Sequence, residues 1–409
     1  MNDDYAIADV REPRANPRTV LVALHWEDEP YKQGILERAR RSGWRLLFLR
    51  DYNMELPRSI RPDGVLFHLA NGDAALVRKF LRMGVPAVQI QDHYLPKQFC
   101  RVVQDRWAIG RTAAKHFGAR GFEDVAYLHA EEAWEHSPTR LVGQSFIRHA
   151  RMLGARAGRL SIPTPDESIP SRRLNVLARR FQEEISRFRL PLGIFTHNDL
   201  MARHICHFCE DVGLSVPEQV AVLGMGNDVS RCECCRVPVS SLDPNYLAQG
   251  RAGAELLDRL MEGRHAPRRP VLIRPLGVVR RQSTDILALP DLETAKALRY
   301  MWTHHAMSPK VSEIAAATGV CRRKLERHFR RHLNRSVTEE LNRRRIERGC
   351  ELLIGTRLTV DKIARQVGFN SPKYFYRVFR TAMGMTPRKY RLAEIARRRK
   401  AVRQPAVKV

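Results

Sequence analysis

The stretch Ile363–Pro387, IARQVGFNSPKYFYRVFRTAMGMTP, decides the reading of this chain. A short segment with apolar periodicity runs to Gly368, and a second follows that is crowded with aromatics and cations. Phe375 and Phe379 stand four residues apart, so a helix buries both on one face. The opposite face then carries Lys373, Tyr374, Arg377 and Arg380. Gly368 can take the positive φ of a tight turn, which a Cβ would oppose. Gly384 and Pro387 stop the second helix. Two helices about such a turn, the second apolar on one side and basic on the other, form a helix-turn-helix whose second helix fits a major groove.

The pattern occurs twice. EIAAATGVCRRKLERHFRRHLNRSV, from Glu313 to Val337, repeats it about fifty residues upstream. Ile314-Ala315 aligns with Ile363-Ala364 and Gly319-Val320 with Gly368-Phe369. Allowing one extra residue in the second turn, Leu325, Arg327 and Phe329 align with Phe375, Arg377 and Phe379. The outward face of the first copy holds Arg322, Arg323, Glu326, Arg327 and Arg330. A helical bundle with a solvated basic face explains one such segment, but not two in register.

Charge points the same way. The 409 residues carry a formal net charge of +27. Residues 291–409 hold 29 Lys and Arg against 10 Asp and Glu, a net of +19, whereas the first 290 residues hold 42 against 34. Such a concentration of cations suggests a polyanionic partner. No apolar run reaches the length needed to span a bilayer, so no membrane partner is expected. The opening MNDDYAIADVREPRANP lacks a basic n-region and an apolar h-region, which predicts no signal peptide and a cytoplasmic protein with reduced thiols. There is no Walker loop, HExxH, G-x-S-x-G or acidic metal constellation, so an enzyme is not expected, and no cofactor or metal is assigned.

The second copy resembles the DNA-binding domain of AraC/XylS-type transcription regulators. It carries that signature in Ile363-Ala364, Gly368-Phe369, Ser371, Tyr374-Phe375, Phe379-Arg380, Gly384, Thr386-Pro387 and Tyr390-Arg391. The resemblance implies seven helices over 293–392, with the two motifs joined by the long helix of SVTEELNRRRIERGCELLIG. It also implies two recognition helices reading successive major-groove turns. Carried over residue by residue, base-reading positions are Arg323, Glu326 and Arg327 in the first helix and Pro372, Lys373, Tyr374 and Arg377 in the second. Arg322, Arg330, Asn370, Ser371, Arg380, Arg388 and Lys389 complete the expected DNA surface, and 393–409 reads as a basic tail.

Upstream, after a lead-in expected to be disordered over 1–17, strands alternate with helices in two successive sets over 18–285. Continuous apolar runs such as TVLVALHW, DGVLFHLA and VAVLGMGN read as buried parallel strands. Two α/β sets predict two lobes with a cleft between them, and 286–292 reads as a linker. The segment LGIFTHNDLMARHICHFCEDVGLSVPEQVAVLGMGND is similar to LacI/GalR-type effector domains and periplasmic sugar-binding proteins. Fusion of such a domain to AraC-type motifs resembles the xylose-responsive regulators of bacteria. The resemblance implies a small-molecule effector, a sugar such as xylose, held between the lobes. It further implies an operator in double-stranded DNA, a homodimer, and contact with RNA polymerase if the protein activates.

Ligands in such a fold sit at the C-terminal ends of the strands. The residues expected there are Trp26, Glu27, Tyr31, His68, Gln91, Asp92, Asp105, Arg140, Asn198, Asp199, Asn227 and Asp228. One departure stands out: where the family places an effector-contacting Asp after this strand, GMGND has Gly226. An alternative signal is offered by Cys206, Cys209, Cys232, Cys234 and Cys235, five thiols within thirty residues, as a redox or metal sensor on the same DNA-binding domain.

Overall fold

The computed structural model describes residues 17–24, 29–49, 60–68, 74–90, 99–130, 139–163, 171–289 and 291–403. The first lobe is built on β1 (Thr19–Leu24), β2 (Arg45–Phe48), β3 (Gly64–His68), β4 (Ala87–Ile90) and β5 (Cys100–Gln104), with α1 (Glu29–Ser42) and α2 (Ala74–Arg82). The second is built on β6 (Asp124–Ala130), β7 (Arg156–Ile162), β8 (Leu192–Thr196), β9 (Val220–Met225) and β10 (Ser240–Asp243). Its helices are α3 (Arg106–Gly118), α4 (Thr139–Met152), α5 (Ser171–Ile185), α6 (Asp199–Asp211) and the short α7 (Val229–Glu233). α8 (Tyr246–Met261) then packs on the first lobe, and β11 (Val271–Ile273) and β12 (Gly277–Val279) follow, one to each sheet.

The two sheets run β11-β5-β4-β3-β1-β2 and β12-β10-β9-β8-β6-β7. Every pairing is parallel except β10 with β12, which is antiparallel. β12 lies at the edge of the second sheet and pairs there with β10 alone, Ser241 opposite Val279 and Asp243 opposite Gly277. The apolar runs are strands for the reason the sequence suggests: β3, β8 and β9 are buried along their whole length, covered by helices on both faces.

The chain crosses between the lobes three times: after β5, after β10 and after β11. The crossings are tied to one another. The Asp105 amide donates to the Ile273 carbonyl at 2.8 Å and the Leu276 amide to the Asp243 carbonyl at 3.0 Å, while Asn245 Nδ2 reaches the Arg274 carbonyl at 3.4 Å.

Beyond a 3₁₀ turn at Gln282–Thr284 the chain is helical: α9 (Leu292–His304), α10 (Val311–Thr318), α11 (Arg322–Leu333), α12 (Val337–Gly355), α13 (Val360–Gln366), α14 (Pro372–Met383) and α15 (Pro387–Arg403). α12 is shared by two apolar cores. Val337 and Leu341 join α9, α10 and α11, whereas Ile346, Leu352 and Leu353 join α13 and α14. α9 also contributes Ala295 to the core of the second lobe. No helix among the described residues is long and apolar enough to cross a membrane.

Candidate functional site

The repeated motif folds as two helical pairs, α10–α11 and α13–α14. In the first, Leu325 and Phe329 are buried; in the second, Phe375 and Phe379 are. Each turn contains a glycine with positive φ, +68° at Gly319 and +89° at Gly368. Gly368 is needed twice over, because a Cβ there would lie 2.3 Å from the His305 carbonyl oxygen. That close approach joins the halves of the domain. Ser308 Oγ donates to the Gly368 carbonyl at 2.6 Å, and Arg345 Nε donates to the His305 carbonyl at 3.1 Å.

With the aromatic face buried, the basic residues point outward. Arg322, Arg323, Arg327 and Arg330 on α11 are exposed, as are Lys373, Tyr374, Arg377 and Arg380 on α14; Glu326 and Pro372 are half-buried. Asn370 and Ser371 are exposed just before α14, and Ser371 Oγ caps it through the Tyr374 amide at 3.4 Å. Tyr374 is held in place: its hydroxyl accepts from Asn342 at 3.1 Å and the Arg377 guanidinium lies 5.0 Å from its ring centre. Arg388 and Lys389 are exposed in the first turn of α15.

The pairing of these charges separates two kinds of surface. Arg322, Arg323, Arg327, Arg330, Lys373, Arg377 and Arg380 make no ion pair among the described residues. By contrast, Arg343, Arg344 and Arg348 of α12 are paired with Glu340, Glu347, Asp285 and Glu351. Cations whose counter-ions lie within the fold are structural; a row of exposed cations without partners attracts an external polyanion.

At the cleft, Trp26, Glu27, Gln91 and Asp92 lie outside the described residues. Tyr31 is 2% exposed and its hydroxyl donates to Gln249 Oε1 at 2.9 Å in the α1–α8 contact, on the helical side of the first lobe. His68 is buried at the end of β3. Asp105 caps α3 through the Ala108 amide at 2.9 Å, Asn198 caps α6 through Met201 at 2.7 Å, and Asp228 caps α7 through Arg231 at 3.1 Å. Arg140 is exposed in the first turn of α4.

Asp199 is 2% exposed, and both carboxylate oxygens are engaged internally. Oδ1 accepts from Ser241 Oγ at 2.5 Å and Oδ2 from the Asp228 amide at 2.9 Å. Burial pushes its pKa up, opposed by these hydrogen bonds. It fixes the loop after β9, where Gly226 has φ +130°. Asn227, itself at φ +56°, donates through Nδ2 to Asp243 at 3.2 Å and accepts from Arg281 at 3.1 Å. Asn198, Asp199, Asn227 and Asp228 therefore do come together at the ends of β8 and β9. The residues that link them to the interlobe crossings, Asp243, Asn245 and Arg281, had no motif to reveal them.

The binding-protein-like fold is also joined to the helical domain. Arg280, one residue past β12, pairs with both Glu347 and Glu351 of α12, and Asp285 pairs with Arg344. Arg299 of α9 pairs with the buried Glu218 at 2.9 Å, and the Ala288 amide donates to the Arg120 carbonyl at 2.8 Å.

Of the five clustered thiols, Cys234 is exposed and the other four belong to or pack against the core. Cys209 and Cys232 are buried in the apolar core of the second lobe, with Cys206 and Cys235 packed against it. Burial pushes all four pKa values up, that of Cys206 to about 12. Thiols held protonated are poor nucleophiles and poor metal ligands. The grouping of ligand atoms that does occur among the described residues, Asp291 with His328 and His332, includes none of the cysteines. The alternative of a cysteine-based redox or metal sensor is accordingly not supported.

Comparison with known proteins agrees with this geometry. Residues 114–284 match a periplasmic binding protein-like domain, and residues 314–393 match a helix-turn-helix domain. The chain thus joins a periplasmic binding protein-like domain to a helix-turn-helix domain. It is a homologue of the xylose operon regulatory proteins. That of Escherichia coli strain K12 is 33% identical over 199 residues, 49% of this chain and 51% of the relative. That of Haemophilus influenzae is 30% identical over 200 residues, 49% of this chain and 52% of the relative. The chain thus spans about half the length of the curated relatives it matches. A solved structure of a xylose-binding transcription activator has the same fold, with a TM-score of 0.65 and 23% identity, covering 93% of this chain and 99% of that one.

Proposed function

We propose that this protein is a sequence-specific, DNA-binding transcription regulator controlled by a small molecule bound between the lobes of its binding-protein-like domain. The observation that carries this reading is the row of exposed, unpaired cations on α11 and α14, set on two helix-turn-helix motifs that share α12. Arg323 and Arg327 suit guanine O6 and N7, and Arg388 and Lys389 suit backbone phosphates.

A sugar is the effector class supported by the homologous xylose operon regulators. Gly226 leaves its place without a carboxylate, so this chain grips its ligand with other groups at the strand ends. Lobe closure acts on the three interlobe crossings. The last of these leads through β12 directly to Arg280, and so to α12. A coupling free energy of about 1–3 kcal/mol is enough for control. The protein acts in the cytoplasm as a homodimer, and meets RNA polymerase where it activates.

The test is a thermal-shift screen of pentoses, hexoses and their acids on the full chain, followed by binding to duplex DNA with and without each hit. A sugar that raises the melting temperature and alters DNA affinity supports the reading. Failure to bind double-stranded DNA at low ionic strength, with or without any hit, defeats it.

A further inference from the structure

Between the two helix-turn-helix motifs lies a cavity of about 580 Å³. Its wall includes Lys310, Ser312, Arg322, Thr338, Arg345 and Ser371. Five of these six belong to the N-terminal ends of α10, α11, α12 and α14. Four helix starts therefore border one space, each with the positive end of its dipole and those first-turn amides that its cap leaves open.

Arg345 supplies the second, independent observation. It is 8% exposed. Its Nε donates to the His305 carbonyl and its guanidinium stacks 5.5 Å from the Phe369 ring centre. Its two terminal nitrogens make no hydrogen bond or ion pair among the described residues. The neighbouring Arg343, Arg344 and Arg348 on the same helix all face carboxylates. Burial pulls the Arg345 pKa below the ordinary arginine value, and no carboxylate offsets it. The terminal nitrogens open into the cavity with no carboxylate beside them, and an anion that enters supplies the missing counter-charge.

We propose that this cavity is an anion site that seats one phosphate-class group, with Arg345 at its base and Lys310 and Arg322 at its rim. The inference rests on the DNA-binding reading for the source of the group. With α11 and α14 in successive grooves, the intervening duplex backbone passes the space between the motifs and presents a phosphodiester to it. Such a contact sets the register of the two helices on the duplex without reading a base. Free inorganic phosphate offers the same chemistry, and the experiment separates the two sources.

Two probes are used on the full chain: inorganic phosphate against chloride at matched ionic strength, read by thermal shift, and a random-sequence duplex spanning two successive major grooves, titrated with salt. Two variants are compared with the wild type. Arg345→Gln removes the buried charge. Thr338→Glu places a carboxylate at the mouth and leaves the Arg345 contacts with His305 and Phe369 untouched. The expected result is that phosphate stabilises the wild type but neither variant. Both variants should also bind the duplex more weakly, with a slope of log K against log salt shallower by about 0.9, one phosphate's worth. Loss of the phosphate response with unaltered duplex binding supports the site and makes the free anion its ligand. Altered duplex slope with no phosphate response in the wild type supports the site and makes the backbone its ligand. If Thr338→Glu keeps both the wild-type phosphate response and the wild-type slope, the proposal is overturned, whether or not Arg345→Gln folds. A wild type that ignores duplex DNA defeats the DNA-binding reading instead, and the phosphate arm then judges the cavity alone.

Discussion

Arg280, one residue after β12, is ion-paired to Glu347 in the middle of the helix that both helix-turn-helix motifs share. Its neighbour Arg281 turns the other way, to Asn227 at the end of β9 and to Glu233 at 2.5 Å. Two consecutive arginines thus face the loop after β9 and the helical domain. A shift of β12 against β10 on lobe closure moves both contacts together. Arg280→Ala should lower stability by about 1–2 kcal/mol, because the pairs are about three-quarters buried and Glu347 keeps Arg343 and Arg344. Its larger effect is on coupling. Calorimetry of the variant should resolve separate transitions for the two domains where the wild type shows closer overlap, and any effector found should still bind without altering DNA affinity. A variant that responds to effector as the wild type does rules out this route.

Gly226 invites a reversion that the structure argues against. The family's aspartate at this place suggests that Gly226→Asp would restore a sugar grip. The backbone there has φ +130°, and a Cβ would lie 3.1 Å from Asp199 Oδ2. The change strains the backbone by about 1–3 kcal/mol and sets a second carboxylate against a buried one. Urea unfolding should show a loss of stability of that order with no gain in pentose binding, and a variant as stable as the wild type contradicts the reading of this turn.

Much of this architecture is legible in the sequence, and the rest is hidden for identifiable reasons. The helix-turn-helix repeat is plain because its periodicity, turn glycines and aromatic pairs all agree. β10 is not, because its residues Ser240-Ser241-Leu242-Asp243 are mostly polar. It is nonetheless buried, since the Ser240 amide donates to Ser283 and Ser241 Oγ to Asp199. The cleft residues are ambiguous for a different reason. Asp105, Asn198 and Asp228 are short polar side chains after strands, which suit a sugar hydroxyl and a helix N-cap equally well, and the structure finds each at a cap. Arg280 and Arg345 belong to no motif. Whether a given arginine is paired depends on which carboxylates the tertiary fold brings to it.

Arg327 lies on the outward face of α11, exposed and without an ion pair among the described residues. A bidentate contact to guanine contributes about 1–3 kcal/mol of discrimination. Arg327→Ala should therefore weaken binding to the preferred site and flatten the preference at one base position in a selection from random duplexes. Equal weakening on preferred and scrambled sequences would assign it to a phosphate instead.

Asp291 supports a prediction in pH. It caps α9 through the Thr294 amide at 3.0 Å and accepts from His328 Nδ1 on α11 at 2.7 Å, so it ties the start of the domain to the second helix of the first motif. Burial pushes its carboxyl up, but the hydrogen bonds from Thr294 and His328 outweigh that and hold its pKa at about 2. A carboxylate depressed in the folded state stabilises fully above its unfolded value near 3.9, and that contribution is lost as pH falls toward the folded value. Asp291→Ala should cost about 1–2 kcal/mol at pH 7, within the range for a lost N-cap. The gap between variant and wild type should stay level down to about pH 5 and narrow steadily between about pH 4 and 2. Denaturant unfolding across that range measures it, and a gap that widens on acidification would mean that Asp291 is not the ionised cap described here.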